Sequence, residues 1–189
     1  MSSFIKRKGY ITLLCMIFLL QHLAFAYDVR LTNIIVTNTR DDLLVYLTVE
    51  GAFSEKMKKA VLNGVAADFS FYINLYQSRN WWIDKKIAGL KITHTIKYNN
   101  LKKEFHIKRS WVSDKTIVAQ TFEEAQKLMS EINSLKIVPL GSLQKGGQYQ
   151  IRAKAEIGKL TLPFYLHYVL FFVSLWDVET DWHTTDFIY

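Results

Sequence analysis

The sequence predicts a single, mainly β domain of the α+β class: an antiparallel, β-sandwich-like fold with two short helices on its connections. Two observations lead to this expectation. Apolar and polar residues alternate with a period of two along much of the chain, as in strands that bury one face. Helical spacing behind a capping residue occurs in only two places. The prolines and glycines are too scattered to mark a boundary, so residues 27–189 are expected to form one domain.

The first 26 residues are predicted to be a signal peptide. A basic segment, Lys6–Lys8, precedes an apolar stretch at Ile11–Leu20, and Ala24–Ala26 has the small-x-small form of a cleavage site. The apolar stretch is shorter than the roughly 20 residues that a membrane span needs. We therefore expect export to the periplasm, with an uncleaved signal anchor in the inner membrane as the alternative. The single cysteine, Cys15, lies in this segment, which excludes disulfides and thiol catalysis from the rest of the chain.

A hairpin and a helix are expected next. Val29–Thr37 and Leu43–Val49 alternate in polarity and are separated by Asn38–Asp41, which predicts two antiparallel strands. Ser54 is a favourable N-cap for a short helix, which Gly64 would end.

The central block, Ala67–Arg109, has the clearest strand pattern, with a Trp81–Trp82 corner after its first strand. Asn99–Asn100 is expected to form a two-residue hairpin loop, because Asn tolerates positive φ. With that loop the opposed pairs are Tyr98 with Leu101, His94 with Phe105, and Ile92 with Ile107. The predicted core residues of this block are Phe69, Phe71, Ile73, Ile92, Ile96, Phe105 and Ile107.

The chain from Trp111 onward is expected to contain a helix and several strands. Trp111–Ala119 is a further strand or an irregular edge. Thr121–Glu124 is a predicted capping box. In such a box the Thr121 hydroxyl accepts the backbone N–H of Glu124, and the Glu124 carboxylate accepts the backbone N–H of Thr121. Apolar residues then recur at helical spacing as far as Ile132. The remaining predicted strands are Leu135–Leu140, Tyr149–Ile157 and Trp182–Tyr189, with a turn at Gly146–Gly147.

A lysine-rich outer face of the central hairpin is the predicted partner-binding surface. In the predicted register, two lysines of one strand face two lysines of the next, a repulsion that an anionic partner would offset. The tandem tryptophan is either a buried corner or a binding platform with amphipathic rings. The expected partner is an anionic membrane surface or an acidic envelope protein, not nucleic acid, and an ordinary solvated lysine face is the alternative. The predicted site residues are Trp81, Trp82, Lys91, Lys97, Lys102 and Lys108.

No motif predicts catalysis or a cofactor. The sequence contains no H-E-x-x-H, G-x-S-x-G, phosphate loop or dinucleotide fingerprint. His94 and His106 are expected on opposite faces of the hairpin, so they cannot share a metal ion. One enzymatic alternative remains, a metal-dependent hydrolase that uses Asp177, Asp181 and His183, because clustered oxygen ligands favour divalent cations. The main interpretation of that acidic stretch is a solvated edge that discourages strand pairing.

An apolar run at Phe164–Trp176 is too short to span a bilayer. Burial under the sheet is its main interpretation, and contact with a membrane or a hydrophobic partner is the alternative.

A series of short motifs runs through the chain in a fixed order. They are Gly64-Val65, Leu75-Tyr76, Trp81–Asp84, Leu90–Asn99, Thr121–Ala125, Tyr149–Ala153, Leu160–Pro163, and Trp176 with Asp181-Trp182. Together they resemble the exported proteobacterial proteins of domain-of-unknown-function family 4390. The resemblance implies no assigned activity, cofactor or catalytic residue. Members are often encoded beside a sensor kinase of the nitrogen-regulation type, so it implies a binding or accessory role at the envelope, linked to sensor-kinase signalling.

Overall fold

The computed structural model describes residues 29–79, 81–158 and 178–189, except for the side chains of residues 113 and 114. The predicted signal peptide, residues 1–26, lies outside these ranges, as does the apolar run Phe164–Trp176, so both expectations stay predictions. In the part of the chain that is described, no helix is long and apolar enough to cross a membrane.

Within those ranges the chain forms ten strands and two helices, which confirms the mainly β, α+β class. The strands are β1 (Arg30–Asn38), β2 (Asp42–Glu50), β3 (Ala67–Gln77), β4 (Lys85–Asn99), β5 (Glu104–Arg109), β6 (Ser113–Ala119), β7 (Glu131–Pro139), β8 (Gln148–Ile157), β9 (Val178–Glu179) and β10 (His183–Ile188). The helices are α1 (Glu55–Leu62) and α2 (Phe122–Ser130).

The strands form two antiparallel sheets that share one core. The small sheet has the order β1-β2-β7, and the large sheet has the order β10-β8-β3-β4-β5-β6, with β9 paired to β8. One apolar cluster draws residues from both sheets and both helices, which confirms the sandwich-like packing. Helix α2 joins this cluster through Phe122, whose ring centre lies 5.3 Å from that of Phe53 and 5.8 Å from that of Phe105.

Local signals place the first elements as predicted. The β1–β2 hairpin turns at residues 39–41. Ser54 caps α1, since its hydroxyl accepts the Met57 N–H at 3.2 Å. Gly64 follows the helix with a φ of 85°, a backbone conformation that glycine adopts without strain.

The predicted core of the central block is confirmed. Each of the seven predicted residues is at most 3% exposed. They alternate along β3, β4 and β5 with side chains that face outward, so the period of two in the sequence identifies the buried face of the large sheet.

The loop between β4 and β5 is longer than the two residues predicted. Asn99 pairs with Glu104, so residues 100–103 form a four-residue loop. The Asn99 side chain accepts the N–H groups of Leu101 and Lys102 at 3.1 Å each, and Lys103 takes the positive φ, 58°. The predicted pairs are therefore wrong: His94 faces Arg109, Ile96 faces Ile107 and Tyr98 faces Phe105. Because the register differs by an even number of residues, the side chains of β4 and β5 keep their predicted faces, whereas Leu101, predicted on the core side, lies in the loop and is 96% exposed.

Helix α2 begins as predicted and ends earlier. The Thr121 hydroxyl accepts the Glu124 N–H at 3.1 Å, whereas the Glu124 carboxylate accepts the N–H of Gln120 instead of that of Thr121. The helix ends at Ser130, and Ile132, which was predicted to lie on it, belongs to β7 and is fully buried.

Two buried side chains of the large sheet cap the C-terminal end of α2. Arg109 Nε donates to the Leu128 carbonyl at 3.0 Å, and His94 Nδ1–H donates to the Met129 carbonyl at 2.9 Å. Carbonyls of the last helical turn have no partner within a helix, so these bonds allow the chain to enter β7 at once. His94 lies in the core and His106 on the outer face, which confirms their predicted separation.

Candidate functional site

The connection between β3 and β4 presents a run of exposed apolar side chains. Trp81, Trp82 and Ile83 are 92%, 80% and 92% exposed. Single exposed apolar residues are common on folded domains, but three consecutive large ones concentrate apolar area at one point of the surface. We call Trp81–Ile83 the hairpin tip. Its exposure excludes the interpretation of the two tryptophans as a buried corner.

The base of the hairpin tip is fixed to the large sheet. Arg152 of β8 donates to the Asp84 carboxylate at 2.5 Å, and its guanidinium lies 4.4 Å from the centre of the Tyr76 ring. On the other side of the loop, the Ser78 N–H donates to the Gln148 carbonyl at 2.9 Å. Strand β8 therefore holds both ends of the loop, which lowers the entropy that the tip would lose on binding.

Removing this anchor is expected to loosen the tip without unfolding the domain. In Arg152→Met the Asp84 carboxylate loses its partner, and because the ion pair is partly exposed its loss should cost about 1 kcal/mol. Amide hydrogen exchange in residues 78–86 should then be about fivefold faster than in the wild type. Arg30→Met is the matched control, because it removes an exposed ion pair with Glu50 in the small sheet. Unchanged exchange in residues 78–86 would show that Arg152 does not hold the loop.

Cationic side chains surround the hairpin tip. Arg79 precedes it, Lys85 and Lys86 follow it, and all three are exposed. Lys145 is exposed in the turn that precedes β8, the strand to which the loop is anchored. The loop's own carboxylate is already paired with Arg152. The apolar tip is therefore bordered by positive charge, an arrangement that attracts anionic surfaces over the range of the Debye length.

The four lysines of the predicted site lie along the outer face of the hairpin and at its far end. The cross-strand neighbours are Tyr72 for Lys91, His106 for Lys97 and Thr95 for Lys108, while Lys102 lies in the β4–β5 loop. The predicted lysine–lysine pairs are therefore wrong, because they depended on a two-residue loop. All four lysines are exposed. Strand β4 has 15 residues, so Lys102 and the hairpin tip are separated by roughly 45 Å and do not form one patch.

The described residues do not assemble the alternative metal site. Asp181 and His183 are exposed, and Asp177 lies outside the described ranges. Glu179 accepts a hydrogen bond from Lys154 at 2.6 Å, and this bond raises the pKa of Lys154. Among the described histidines, aspartates and glutamates, no group of three is placed to hold a metal ion.

A family model matches residues 26–186, and its description is Domain of unknown function (DUF4390). The chain belongs to the DUF4390 family. The match confirms the family that the sequence motifs resemble, and it takes in both sheets of the DUF4390 domain. No curated protein and no solved structure matches this DUF4390 chain. Since the family description assigns no activity, the function of the domain has to be inferred from its own surface.

Sequence reasoning finds only part of the tip of this DUF4390 domain. It selects Trp81 and Trp82, but it leaves Ile83 and the neighbouring cations out of the predicted site residues. The signal that could have found them is the segment Arg79–Lys86, in which basic residues flank an apolar tripeptide. Such a tripeptide is equally compatible with a buried corner, so its exposure had to be observed in three dimensions.

Proposed function

We propose that this chain is an exported binding module of the cell envelope that docks on an anionic membrane surface through its hairpin tip. The observation that carries the proposal is the exposure of Trp81–Ile83 between the cations Arg79, Lys85 and Lys86. Indole rings favour the interface between headgroups and acyl chains, and cations beside them favour anionic headgroups.

The magnitudes are sufficient for reversible docking. Each basic residue near an anionic bilayer contributes about 1 kcal/mol, so Arg79, Lys85 and Lys86 together contribute about 3 kcal/mol. Each apolar side chain that is fully removed from water contributes roughly 1.5 to 3 kcal/mol, and Trp81–Ile83 supplies three of them. The costs of association and of ordering the loop reduce this sum. The balance favours a reversible, salt-sensitive attachment over permanent insertion.

The predicted signal peptide supports the same proposal, since an exported chain meets the periplasmic faces of the envelope membranes. The link to sensor-kinase signalling that the family resemblance implies is also part of the proposal. A module docked on the inner membrane would be positioned beside membrane-embedded sensors.

Vesicle binding tests the proposed docking. Wild-type protein should co-sediment with vesicles of phosphatidylglycerol and phosphatidylcholine, and binding should weaken as salt shortens the Debye length from about 10 Å to about 3 Å. Trp81→Ala with Trp82→Ala should weaken lipid binding more than about tenfold, because both rings leave the interface. Lys85→Glu with Lys86→Glu should weaken it by a similar factor and reduce the salt dependence.

A matched charge reversal on the outer face locates the site. Lys91→Glu with Lys97→Glu changes the net charge by the same amount as the variant of Lys85 and Lys86, but away from the tip. We expect this pair to lower affinity by no more than about threefold, through long-range repulsion alone. If the outer-face pair abolishes binding and the tryptophan variant does not, the docking surface is the lysine face. If wild-type protein does not bind anionic vesicles, the membrane proposal is wrong, and an acidic envelope protein is the partner to test next.

A further inference from the structure

A cleft of about 500 Å³ opens between the two sheets, away from the hairpin tip. This volume falls within the range of ligand sites in proteins. The residues that line it are Leu90, Lys91, Ile92, Ser110, Trp111, Val112, Ser134, Leu135 and Lys136. Strand β4 forms one side, β7 of the small sheet forms the other, and residues 110–112 close one end.

The β4 side of the cleft is an open strand edge. Strand β5 pairs with β4 only from His94 to Asn99, whereas β3 pairs with β4 along almost its whole length. The ladder on the β5 side ends at Thr93, whose N–H donates to the Ser110 hydroxyl and whose carbonyl accepts the Ser110 N–H. Alternate residues of a strand direct their backbone groups to the same side, so those of Lys91 and Gly89 also point to this edge.

Among the described residues, these backbone groups have no strand partner. No strand within the described ranges lies beside Gly89 and Lys91 on this side. They offer two N–H donors and two carbonyl acceptors in strand geometry, which is the template that an added strand uses.

The apolar wall of the cleft is preorganised. The Trp111 indole N–H donates to Nε2 of the buried His94 at 3.1 Å, so the polar atom of the ring is already bonded inside the protein. The ring therefore presents carbon to the cleft. Leu90 is only half-buried there, since β5 does not extend far enough to cover it. Leu135 of β7 lies on the opposite side.

The polar rim of the cleft is basic. Lys91 is exposed and lies 5.1 Å from the centre of the Tyr72 ring, and Lys136 is exposed on the opposite sheet. Lys136 donates to the Asp42 carboxylate at 2.5 Å, which raises the pKa of its ammonium and offsets its charge, so Lys91 supplies most of the positive charge that a bound segment would meet. None of the nine lining residues, all of which are described, is acidic. The rim therefore favours carboxylates.

We propose that the open edge of β4 takes up an extended peptide segment of a partner protein, in which apolar residues alternate with acidic ones. Pairing with Gly89 and Lys91 places every second side chain of the segment between the sheets, against Leu90, Ile92 and Leu135. The intervening side chains face outward, on the side of Lys91. Trp81–Ile83 do not line the cleft, so the peptide and vesicle experiments test the two proposals separately.

The test uses the full chain and a designed peptide, acetyl-Glu-Val-Glu-Leu-Glu-Val-amide, titrated and followed by amide NMR. We expect shift changes at the amides of Gly89 and Lys91 and at the Trp111 indole N–H, with protection of the two amides from exchange. A peptide N-methylated at alternate residues cannot pair on one edge, and it should bind at least tenfold more weakly. Lys91→Glu should also weaken binding, whereas Lys97→Glu, the matched control on the same strand outside the cleft, should not.

Each remaining outcome overturns the proposal. Equal binding of the N-methylated peptide removes the strand-pairing mechanism, and equal binding of a peptide in which lysine replaces each glutamate removes the charge argument. Absence of shifts at millimolar peptide means that the edge takes no such segment. If the two amides are already protected in a concentrated sample that sediments as a dimer, the edge belongs to a second copy of the chain. Because the peptide titration contains no vesicles and the residues of the hairpin tip do not line the cleft, none of these results bears on docking through the tip.

Discussion

Replacement of Ile96 by aspartate is expected to unfold the protein, while the same replacement at the next residue, Lys97, is expected to leave it folded. Ile96 is 0% exposed and lies in the middle of the large sheet, between Ala67 of β3 and Ile107 of β5. Aspartate there would bury a carboxylate with no cation beside it and would remove a large apolar side chain. Together these should cost more than about 4 kcal/mol, a large part of the stability of a single domain.

Lys97→Asp is the matched control, because it introduces the same residue in the same strand on the outer face. Its effect on the free energy of unfolding should stay within about 1 kcal/mol, since that side chain is exposed. Urea unfolding followed by far-UV circular dichroism measures both. A cooperative transition in Ile96→Asp, with stability near that of the wild type, would contradict the assignment of the buried face.

The buried face could be predicted from the sequence because successive side chains of a strand point to opposite faces. This alternation is a property of the local backbone and needs no knowledge of the rest of the fold. Phe69, Phe71 and Ile73 alternate with polar residues, so their common face follows from the backbone alone. The register with β5 depends instead on the loop. There the side chain of Asn99 captures two N–H groups of the following residues and lengthens the turn, a competition that residue type alone does not decide.

The end of α2 could not be predicted for a different reason. Leu128, Met129 and Ile132 continue the helical spacing, so the sequence favours a longer helix. The helix ends early because His94 and Arg109, at least 19 residues away in sequence, supply donors to its last carbonyls. Tertiary contacts of this kind override local propensity.

The candidate site, too, could be predicted from the sequence only in part. The sequence identifies aromatic and basic residues, because their types alone indicate an interface. It cannot assign them to one patch, since Trp81 and Lys102 lie at opposite ends of a strand whose length depends on the turns at both ends. The cleft could not be predicted from the sequence. It exists because β5 is shorter than β4, so that Lys91 lies opposite β3 but not opposite β5.

His94 is expected to make the protein acid-sensitive. Its side chain is 0% exposed, and both ring nitrogens are used: Nδ1–H donates to Met129, and Nε2 accepts from Trp111. Burial, and to a lesser degree the charge of Arg109, lowers the pKa of His94 to about 4, against the raising effect of the Met129 carbonyl. Protonation would place a second N–H against the indole donor and a charge in the core.

The sign of the effect follows from proton binding. Between pH 4 and pH 6.5 the unfolded state binds a proton at this histidine and the folded state does not, so stability increases with pH. The contribution of His94 is complete above about pH 6.5 and is lost progressively as the pH falls to about 4. A difference in pKa of this size corresponds to about 3 kcal/mol.

The control is His94→Gln, because a glutamine amide can donate to Met129 and accept from Trp111 but does not titrate. At pH 7 this variant should be about 1 to 2 kcal/mol less stable than the wild type, since its fit in the core is imperfect. At pH 4.5 the wild type should have lost most of that advantage or become the less stable protein, because only its buried side chain takes up a proton on unfolding. Urea unfolding of both proteins at the two pH values measures the difference and cancels the titration of all other groups. Parallel pH profiles would show that His94 is protonated as readily in the folded chain as in the unfolded one, and that the bond from Trp111 does not depend on a neutral ring.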